Sequence, residues 1–226
     1  MKNIEIQNMI HKCRHKFGDE TLWCLKISDY AGYFGYFLGV MDKKEKSKVK
    51  YRSGEASRRY VLRKGIARYI LAQALGSPIE TVNILYTIKG KPYIEGNTVY
   101  FSISHSGDYF AVLVSDKYLV GVDIQIMKKK SIYPTLILSP KESRYMESLK
   151  EDGRYLYYWR IWTFKEAVSK ITGDGMTVDF SQIEGTAYDY SDLSGQYLYP
   201  GNKQLFVKVY ELKYEECHVC GVISGY

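Results

Sequence analysis

The sequence lacks any long apolar segment. No hydrophobic run in its 226 residues approaches the roughly 18 residues that a membrane-spanning helix needs. The amino terminus is also too polar for a secretory signal peptide, since it begins with MKNIEIQNMIHKCRH. Both absences argue against membrane insertion and against secretion. The sequence therefore predicts a cytoplasmic protein without a membrane partner.

Cysteine is scarce. The four cysteines, Cys13, Cys24, Cys217 and Cys220, are too few and too unevenly placed for a disulfide scaffold, so we expect reduced thiols. The last two have the spacing of a zinc or redox site, but no second pair has that spacing. Because the stretch around them alternates like a strand, we predict that they pack in a core.

Composition places the chain among ordinary folded proteins. It is 46% hydrophobic and 25% charged, which fits one large domain or two small ones and argues against disorder. The net charge of +7 is concentrated in two neighbouring stretches. These contain Lys43, Lys44, Lys46, Lys48, Lys50 and Arg52, then Arg58, Arg59, Arg63, Lys64 and Arg68. Either an anion binds there, or a solvated loop lies beside a helix with a basic outer face.

Hydrophobic patterns predict short strands mixed with a few helices. The predicted strands are 21–29, 32–40, 81–89, 99–104, 109–115, 118–125, 177–183, 205–212 and 217–224. Those of the central run are expected to be antiparallel, and the turn Asp116-Lys117 is expected to join the last two.

Three helices are predicted. The first begins near Ser57 and stops at Gly76, the second follows a capping box that starts at Ser139, and the third spans about 152–172 and ends at Gly173. This order of elements indicates an α+β fold rather than a doubly wound sheet. We predict two similar α/β lobes, 1–116 and 117–226, each with an antiparallel sheet and a long helix, although no convincing internal repeat is visible.

Polar residues end one predicted strand. The segment FSISHSGDY, residues 101–109, places Ser104, His105, Ser106 and Gly107 in a small turn with hydroxyls, an imidazole and backbone N–H groups. A phosphate would fit there. A single histidine in a turn can equally be structural.

A second candidate lies on the third predicted helix, in WTFKEAVSKITGDGM, residues 162–176. Glu166 and Lys170 are four residues apart and therefore share a helix face. An exposed ion pair of little energetic value is the alternative. The neighbouring Trp159 and Trp162 favour partial burial of this face.

The third candidate is GVDIQ, residues 121–125. In a strand, Asp123 and Gln125 project from one side while Val122 and Ile124 fill the other. An unpaired buried carboxylate would cost several kcal/mol or become protonated, so Asp123 should have a cation partner or face a cleft. Hard oxygen ligands from Asp123 and Glu166 suit Mg²⁺ better than zinc.

The motifs now combine. Four segments follow one another along the chain: GKP (90–92), FSISHSG (101–107), GVDIQ (121–125) and WTFKEAVSK (162–170). This ordered set resembles the 4'-phosphopantetheinyl transferases of the large, pseudo-dimeric type that activates peptide and polyketide synthases. The resemblance covers about residues 57–175. It implies a fold of two lobes related by a pseudo-twofold axis, with the active site at their junction, and a monomer.

The resemblance also implies a reaction of the holo-[acyl-carrier-protein] synthase type. The 4'-phosphopantetheine arm of coenzyme A is moved to a serine of an apo acyl or peptidyl carrier protein, and 3',5'-ADP is released. The pathway served, whether fatty acid, polyketide or nonribosomal peptide synthesis, stays open. Asp123 and Glu166 correspond to ligands of Mg²⁺, with Mn²⁺ as the alternative metal. Glu166 is also a candidate base, and Lys170 would stabilise charge on the transferred phosphoryl group.

Coenzyme A contacts are implied by the same positions. Ser104 and His105 correspond to phosphate contacts, and Lys91 should lie near the nucleotide. Arg59 and Arg63 are expected to face the 3'-phosphate, where a guanidinium gives bidentate contact. Lys44, from the lysine run, is a further candidate.

Gln125 departs from the pattern. Many relatives of the large type have glutamate there as a third metal ligand, whereas an amide supplies one neutral oxygen. Two other functions are weighed. A single-stranded RNA-binding module would explain the lysine run but gives the two acids no purpose. An inactive synthase-associated homologue would explain Gln125, but the motif residues Lys165, Glu166 and Lys170 argue against it.

Overall fold

The computed structural model describes residues 2–52, 54–129, 134–185, 192–201 and 203–224. The helices of this part are α1 Lys2–Lys12, α2 Phe34–Gly39, α3 Lys43–Lys50, α4 Gly54–Leu75, α5 Pro140–Ser148 and α6 Glu151–Thr172. The strands are β1 Arg14–Phe17, β2 Glu20–Lys26, β3 Ile84–Tyr86, β4 Pro92–Ile94, β5 Tyr100–Ser106, β6 Tyr109–Ser115, β7 Leu119–Ile126, β8 Glu184–Gly185, β9 Gly195–Tyr199, β10 Lys203–Tyr214 and β11 Cys217–Ser224.

The first lobe consists of an antiparallel sheet in the order β1-β2-β6-β5 and the helix α4. The 22-residue α4 buries Leu62, Ile66 and Ile70 against the sheet, in the same core cluster as Phe110 and Val112 of β6. The apolar residues recur at helical spacing, and Gly76 follows the helix with a positive φ of 61°.

The second lobe repeats this arrangement. Its sheet has the order β7-β11-β10-β9-β8, and the 22-residue α6 packs Phe164, Val168 and Ile171 on one face, together with Cys220 and Val222 of β11. The predicted α+β fold with two lobes, each with an antiparallel sheet and a long helix, is confirmed. The boundary after residue 116 stays a prediction.

The two sheets also pack against each other. A third cluster joins Leu22 and Leu113 of the first sheet to Val120, Val122 and Val219 of the second. Thus β7 is buried on both faces, which explains its continuous apolar character. The hairpin expected between 109–115 and 118–125 is wrong, because β6 pairs with β2 and β5, whereas β7 pairs with β11. The turn between them takes the chain from one sheet to the other.

Serine hydroxyls connect the lobes along the edge of β7. Alternate β5 residues place Ser102, Ser104 and Ser106 on the side facing this strand. The backbone N–H of Val122 donates to Ser102 Oγ, and that of Ile126 donates to Ser106 Oγ, both at 3.1 Å. These hydroxyls accept hydrogen bonds from N–H groups at the edge of β7, in place of the carbonyl groups that a neighbouring strand would supply.

We expect Ser102→Ala to lower the free energy of unfolding by about 1–3 kcal/mol, because it leaves the buried N–H of Val122 without an acceptor. Ser106→Ala is the matched control; it removes the same contact at a less buried position and should cost less. Urea unfolding of the three proteins measures the difference. Equal stability of Ser102→Ala and the wild type would contradict this role.

The segment 32–40, predicted as a strand, is helical. A 3-10 helix, Ser28–Tyr33, runs into α2. The prediction followed aromatic content, but Tyr30, Phe37 and Met41 are buried at spacings close to whole helical turns. A Cβ at Gly65 of α4 would lie 2.2 Å from the Phe37 ring, so this glycine makes room for it.

Other predictions also need correction. The segment 177–183 contains a short 3-10 helix, Phe180–Gln182, capped by Asp179, instead of a strand, and 81–89 keeps only the three residues of β3. The lysine run is the helix α3 and not a loop, since Asp42 and Glu45 form a capping box. Glu45 also makes a buried ion pair with Arg68 of α4. Helix α1 was not predicted. Among the described helices, none combines the length and the hydropathy needed to cross a bilayer.

Candidate active site

A glycine lets the helix α6 lie directly on β7. A Cβ at Gly121 would be 1.9 Å from the backbone oxygen of Ala167, so only a residue without a side chain allows this separation. Ala167 is the neighbour of Glu166. The close approach therefore brings the acidic and basic side chains of α6 to the level of Asp123, two residues after Gly121.

Asp123 is buried, with 6% of its surface exposed. Its Oδ1 accepts hydrogen bonds from Lys170 Nζ at 2.7 Å and from Ser104 Oγ at 2.6 Å. Its Oδ2 is buried and has no hydrogen-bond partner among the described residues. One side of this carboxylate is thus paired, and the other side is a buried acceptor left open.

Lys170 reaches β7 rather than its neighbour on the helix. Its ammonium donates to the carbonyl of Val122 at 2.8 Å and pairs with Asp123. Helical spacing left a surface Glu166–Lys170 ion pair as the alternative. Lys170 instead pairs with Asp123 of β7, a residue 47 positions earlier in the chain.

Glu166 is 9% exposed and lies within electrostatic reach of both groups. Burial raises the pKa of its carboxyl, the charge of Asp123 raises it further, and Lys170 opposes the shift. No hydrogen bond to this carboxylate occurs within the described part of the chain. The structure thus brings Asp123, Glu166 and Lys170 together.

The donor set suits a hard divalent cation. Asp123 Oδ2 and the Glu166 carboxylate could supply two oxygen ligands, and Mg²⁺ keeps several waters while using one or two carboxylates. Across the described residues there is no group of three or more His, Cys, Asp or Glu side chains that could hold a metal. Gln125 is half-buried, two residues along the same strand, and would add only a neutral oxygen.

Sequence reasoning missed a polar network beside Gln125. Opposite this residue on β11, His218 contacts Thr163 Oγ1 through Nδ1 at 2.7 Å and Glu211 through Nε2 at 3.2 Å. Arg160 donates two hydrogen bonds to the same Glu211. Burial opposes ionisation of Glu211, but the hydrogen bonds from His218 and Arg160 hold its pKa below the ordinary value. The network ties α6 to β10 and β11.

The predicted core packing of the CHVC segment is confirmed. Cys217 and Cys220 are fully buried and belong to the two core clusters on either face of the second sheet. Burial raises the pKa of the Cys217 thiol to about 12. Both thiols are therefore poor candidates for metal or redox chemistry.

Lys165, the motif residue before Glu166, is completely buried. Its ammonium donates to the carbonyls of Ile137 and Phe180, both at 2.9 Å, and pairs with Glu142. Burial lowers the pKa of Lys165, while Glu142 opposes the shift. Glu142 also closes the capping box of α5, so this pair fixes α6 to the segments before and after it.

A cavity of about 740 Å³ opens on the first lobe. Its lining is basic and aromatic and includes Arg52, Arg59, Tyr60, Arg63, Lys64, Tyr86 and His105. Burial lowers the pKa of Arg63, and the positive charges of Arg59 and Arg52 add to the shift. Among these cations, Arg59 is paired with Glu55 at 3.0 Å. The cavity is therefore suited to an anionic ligand with a flat group.

His105 connects this cavity to Asp123. Burial lowers its pKa, and the charges of Arg63 and Lys170 lower it further, so the imidazole is close to both sites. Its neighbour Ser104 donates to Asp123. Two neighbouring residues of β5 thus link the two places: His105 lines the basic cavity, and Ser104 contacts Asp123.

Not all of the predicted coenzyme A contacts lie in this cavity. Arg59, Arg63 and His105 line it, whereas Lys44 is exposed on α3 and is not part of the lining. Lys91 Nζ donates to the carbonyl of Ile171 at 2.6 Å, at the end of α6. Sequence reasoning missed Arg52, Tyr60, Lys64 and Tyr86. On α4, Tyr60 lies three residues before Arg63, and Lys64 lies four residues after Tyr60, so helical spacing would have linked both to this face.

Two family models match the chain. The model described as "4'-phosphopantetheinyl transferase, N-terminal" matches residues 31–117, and that of the 4'-phosphopantetheinyl transferase superfamily matches residues 119–221. Together they cover the lobe junction and all of the motifs above.

Curated relatives carry the same name. The chain is 36% identical to the 4'-phosphopantetheinyl transferase AcpT of Salmonella typhi over 110 residues, which are 47% of this chain and 56% of the relative. It is 24% identical to the transferase gsp of Aneurinibacillus migulanus over 82% of this chain and 76% of the relative. For the Bacillus subtilis transferase the identity is 27% over 75% of each chain.

AcpT is matched over only 56% of its length, and the 4'-phosphopantetheinyl transferase HetI of a Nostoc species, 30% identical, over only 54%. The similarity nevertheless agrees with the geometry. The motifs lie at the lobe junction, the acidic pair adjoins a basic cavity, and the two family models meet between β6 and β7. The chain belongs to the 4'-phosphopantetheinyl transferase superfamily.

Proposed function

We propose that the protein transfers the 4'-phosphopantetheine arm of coenzyme A to a serine of an apo carrier protein in a magnesium-dependent reaction of the holo-[acyl-carrier-protein] synthase type. One observation supports this most strongly. The buried Oδ2 of Asp123 has no hydrogen-bond partner among the described residues, and the charge of Asp123 acts on the carboxyl of Glu166. A basic cavity lies next to them. An acidic pair beside a cationic cavity suits a metal–diphosphate substrate.

Asp123 and Glu166 would hold the metal, with Gln125 as a neutral third ligand. When bound, Mg²⁺ supplies positive charge that neutralises the diphosphate of coenzyme A. The protein adds its own cations at the same place. Lys170 lies against Asp123, and His105 lines the basic cavity together with Arg63.

The transfer is a displacement at the β-phosphorus of coenzyme A. Glu166 accepts the proton of the carrier serine, whose Oγ forms a bond to that phosphorus. The bond between this phosphorus and the bridging oxygen breaks, and 3',5'-ADP leaves with the electron pair. Lys170 is placed to stabilise the charge on the transferred group.

The nucleotide would occupy the cavity of the first lobe. Arg59 and Arg63 are proposed contacts of the 3'-phosphate, and the aromatic rings of Tyr60 and Tyr86 lie in the same lining. Ser104 and His105 are proposed contacts of the diphosphate. Lys44 lies on the exposed face of α3, so a contact from it would have to come from outside the cavity.

A transfer assay tests the proposal. The protein is incubated with coenzyme A, Mg²⁺ and several apo carrier proteins, and the carriers are then weighed by mass spectrometry. We expect one phosphopantetheine to be added per carrier, with loss of the reaction on chelation by EDTA. No addition to any carrier, together with tight binding of single-stranded RNA, would instead support the RNA-binding alternative.

Gln125→Glu should bind the metal more tightly than the wild type. The substitution adds a carboxylate two residues from Asp123 on the same strand face, which raises both the negative charge and the number of ligands. Mn²⁺ binding followed by EPR, and Mg²⁺ titration of the transfer assay, measure the effect. Gln7→Glu on α1 adds the same charge outside the site and is the control. Equal metal dependence of the two variants would argue against a ligand role for residue 125.

The proposal includes a cytoplasmic location, a monomer and acidic carrier proteins as partners. These parts rest on the composition and on the family resemblance. Size-exclusion chromatography with light scattering tests the oligomeric state.

A further inference from the structure

We propose that Lys91 is a positioning residue for Lys170: it holds the carboxyl-terminal end of α6 against the β3–β4 hairpin rather than binding the nucleotide. This inference rests on the proposed function, since it concerns how Lys170 is held for the phosphoryl transfer.

The hairpin presents Lys91 from a tight turn. Thr87 N–H donates to the carbonyl of Lys91 at 3.0 Å, and Lys91 N–H donates to Thr87 Oγ1 at 3.1 Å. Gly90 N–H donates to the carbonyl of Thr87, and Gly90 has a positive φ of 84°. Since the backbone on both sides of Lys91 is hydrogen-bonded, the base of its side chain is fixed.

The ammonium of Lys91 caps α6. The carbonyl of Ile171 is one of the last four in the helix, which have no partner within it, and Lys91 Nζ donates to it at 2.6 Å. A cation at this end also interacts favourably with the helix dipole. A Cβ at Gly173 would lie 3.2 Å from Lys91 Cδ, so the lysine stem crosses the left-handed residue that ends the helix.

A second contact holds the same two segments together. Lys89 of the hairpin pairs with Asp174 at 2.5 Å, and Asp174 accepts a hydrogen bond from Tyr199 of β9 at 3.0 Å. Tyr199 is also hydrogen-bonded to Thr172 at 2.7 Å. Hydrogen bonds to Asp174 lower the pKa of its carboxyl to about 2, and the bond from Lys89 has the largest effect on it. The end of α6 is therefore fixed by residues from both lobes.

Lys170 immediately precedes the carbonyl that Lys91 caps. Its ammonium makes two contacts with β7, to Val122 and Asp123, and both require the last turn of α6 to stay helical. Helix ends fray when their carbonyls are unsatisfied. Removal of the cap should therefore displace Lys170 relative to Asp123.

The position of Lys91 is unlike that of a nucleotide contact. It is not in the lining of the large basic cavity, although its neighbour Pro92 is. It lines two smaller cavities, one of about 380 Å³ and one of about 210 Å³. The smaller one is lined by Lys170 and Gly173 as well, and it shares only Pro92 and Ile103 with the basic cavity. Burial lowers the pKa of Lys91, consistent with a side chain committed to the protein interior.

Lys91→Met tests the inference, since it keeps the stem and removes the cap. We expect kcat for carrier modification to fall about 10–100-fold, as for a misplaced catalytic group. The affinity for 3',5'-ADP, measured by calorimetry, should stay within about twofold of the wild type. Amide hydrogen exchange in residues 168–173 should become faster. Lys91→Arg, which can also donate to Ile171, should restore most of kcat.

Lys64→Met is the matched control, because Lys64 lines the nucleotide cavity. It should weaken 3',5'-ADP binding and leave exchange in 168–173 unchanged. A Lys91→Met protein with weaker 3',5'-ADP binding and unchanged exchange would overturn the inference and restore the nucleotide role. A wild-type protein that modifies no carrier would overturn the proposed function, whereas exchange would still decide whether Lys91 holds the helix end.

Discussion

Glu166→Gln is expected to lower kcat/KM for carrier modification by about 10²–10⁴-fold, the usual contribution of a general base. Glutamine keeps the shape of the side chain but cannot accept the serine proton. Glu166 is buried, and no described residue donates a hydrogen bond to its carboxylate. Loss of its charge would also weaken the proposed metal site. The fold itself should tolerate the change, because a neutral group is easier to bury there than a carboxylate.

The measurement is steady-state kinetics with an apo carrier at saturating Mg²⁺, combined with calorimetric binding of 3',5'-ADP. Binding of the nucleotide should change little, because its proposed contacts lie on α4 and β5. Glu151→Gln is the matched control, an exposed glutamate in the first turn of the same helix, and it should keep nearly full activity. If Glu166→Gln retained activity within threefold of that control, Glu166 would be neither the base nor an essential ligand.

Gly121→Ala should damage both stability and catalysis. The added methyl would lie 1.9 Å from the backbone oxygen of Ala167, and neither the strand nor the helix backbone can move aside alone. Overpacking of this kind costs about 3 kcal/mol. The helix must shift outward, which separates Glu166 and Lys170 from Asp123, and a displacement of about 1 Å at a reacting centre costs about 10²-fold in rate.

Urea unfolding and kcat on the folded variant measure the two effects separately. Gly32→Ala is the control, because a Cβ there meets nothing within 4 Å, and it should be nearly neutral in both assays. A Gly121→Ala protein with wild-type kcat and stability would show that the close contact of β7 and α6 does not set the geometry of the site.

The two lobes contribute different parts of the site. The first supplies the basic cavity and the serine and histidine of β5, and the second supplies Asp123, Glu166 and Lys170. The hydrogen bond from Ser104 to Asp123 and the contact from Lys91 to Ile171 join them. We therefore expect neither lobe to be active alone.

Local patterns predicted much of the secondary structure. Strands β6 and β11 match the expected residues, and the capping box before α5 and the glycine after α6 are present as expected. These features depend on residues within a few positions of one another. The strands predicted at 32–40 and 177–183 were wrong because packing between distant residues overrode the local preference. Aromatic and branched residues favour strands, yet packing of Phe37 into the groove at Gly65 and of Phe180 into the second core decided otherwise.

The sequence by itself determined the chemistry available to this protein: an acid on a strand, an acid and an amine one turn apart on a helix, and a basic helix. Only the tertiary structure decided which of these groups meet. Lys170 pairs with Asp123 instead of Glu166, Lys91 caps α6 at Ile171, and β6 and β7 lie in different sheets. The physical reason is that spacing along the chain fixes which face a side chain occupies, whereas its partner depends on long-range packing, here on the closeness that Gly121 allows between β7 and α6.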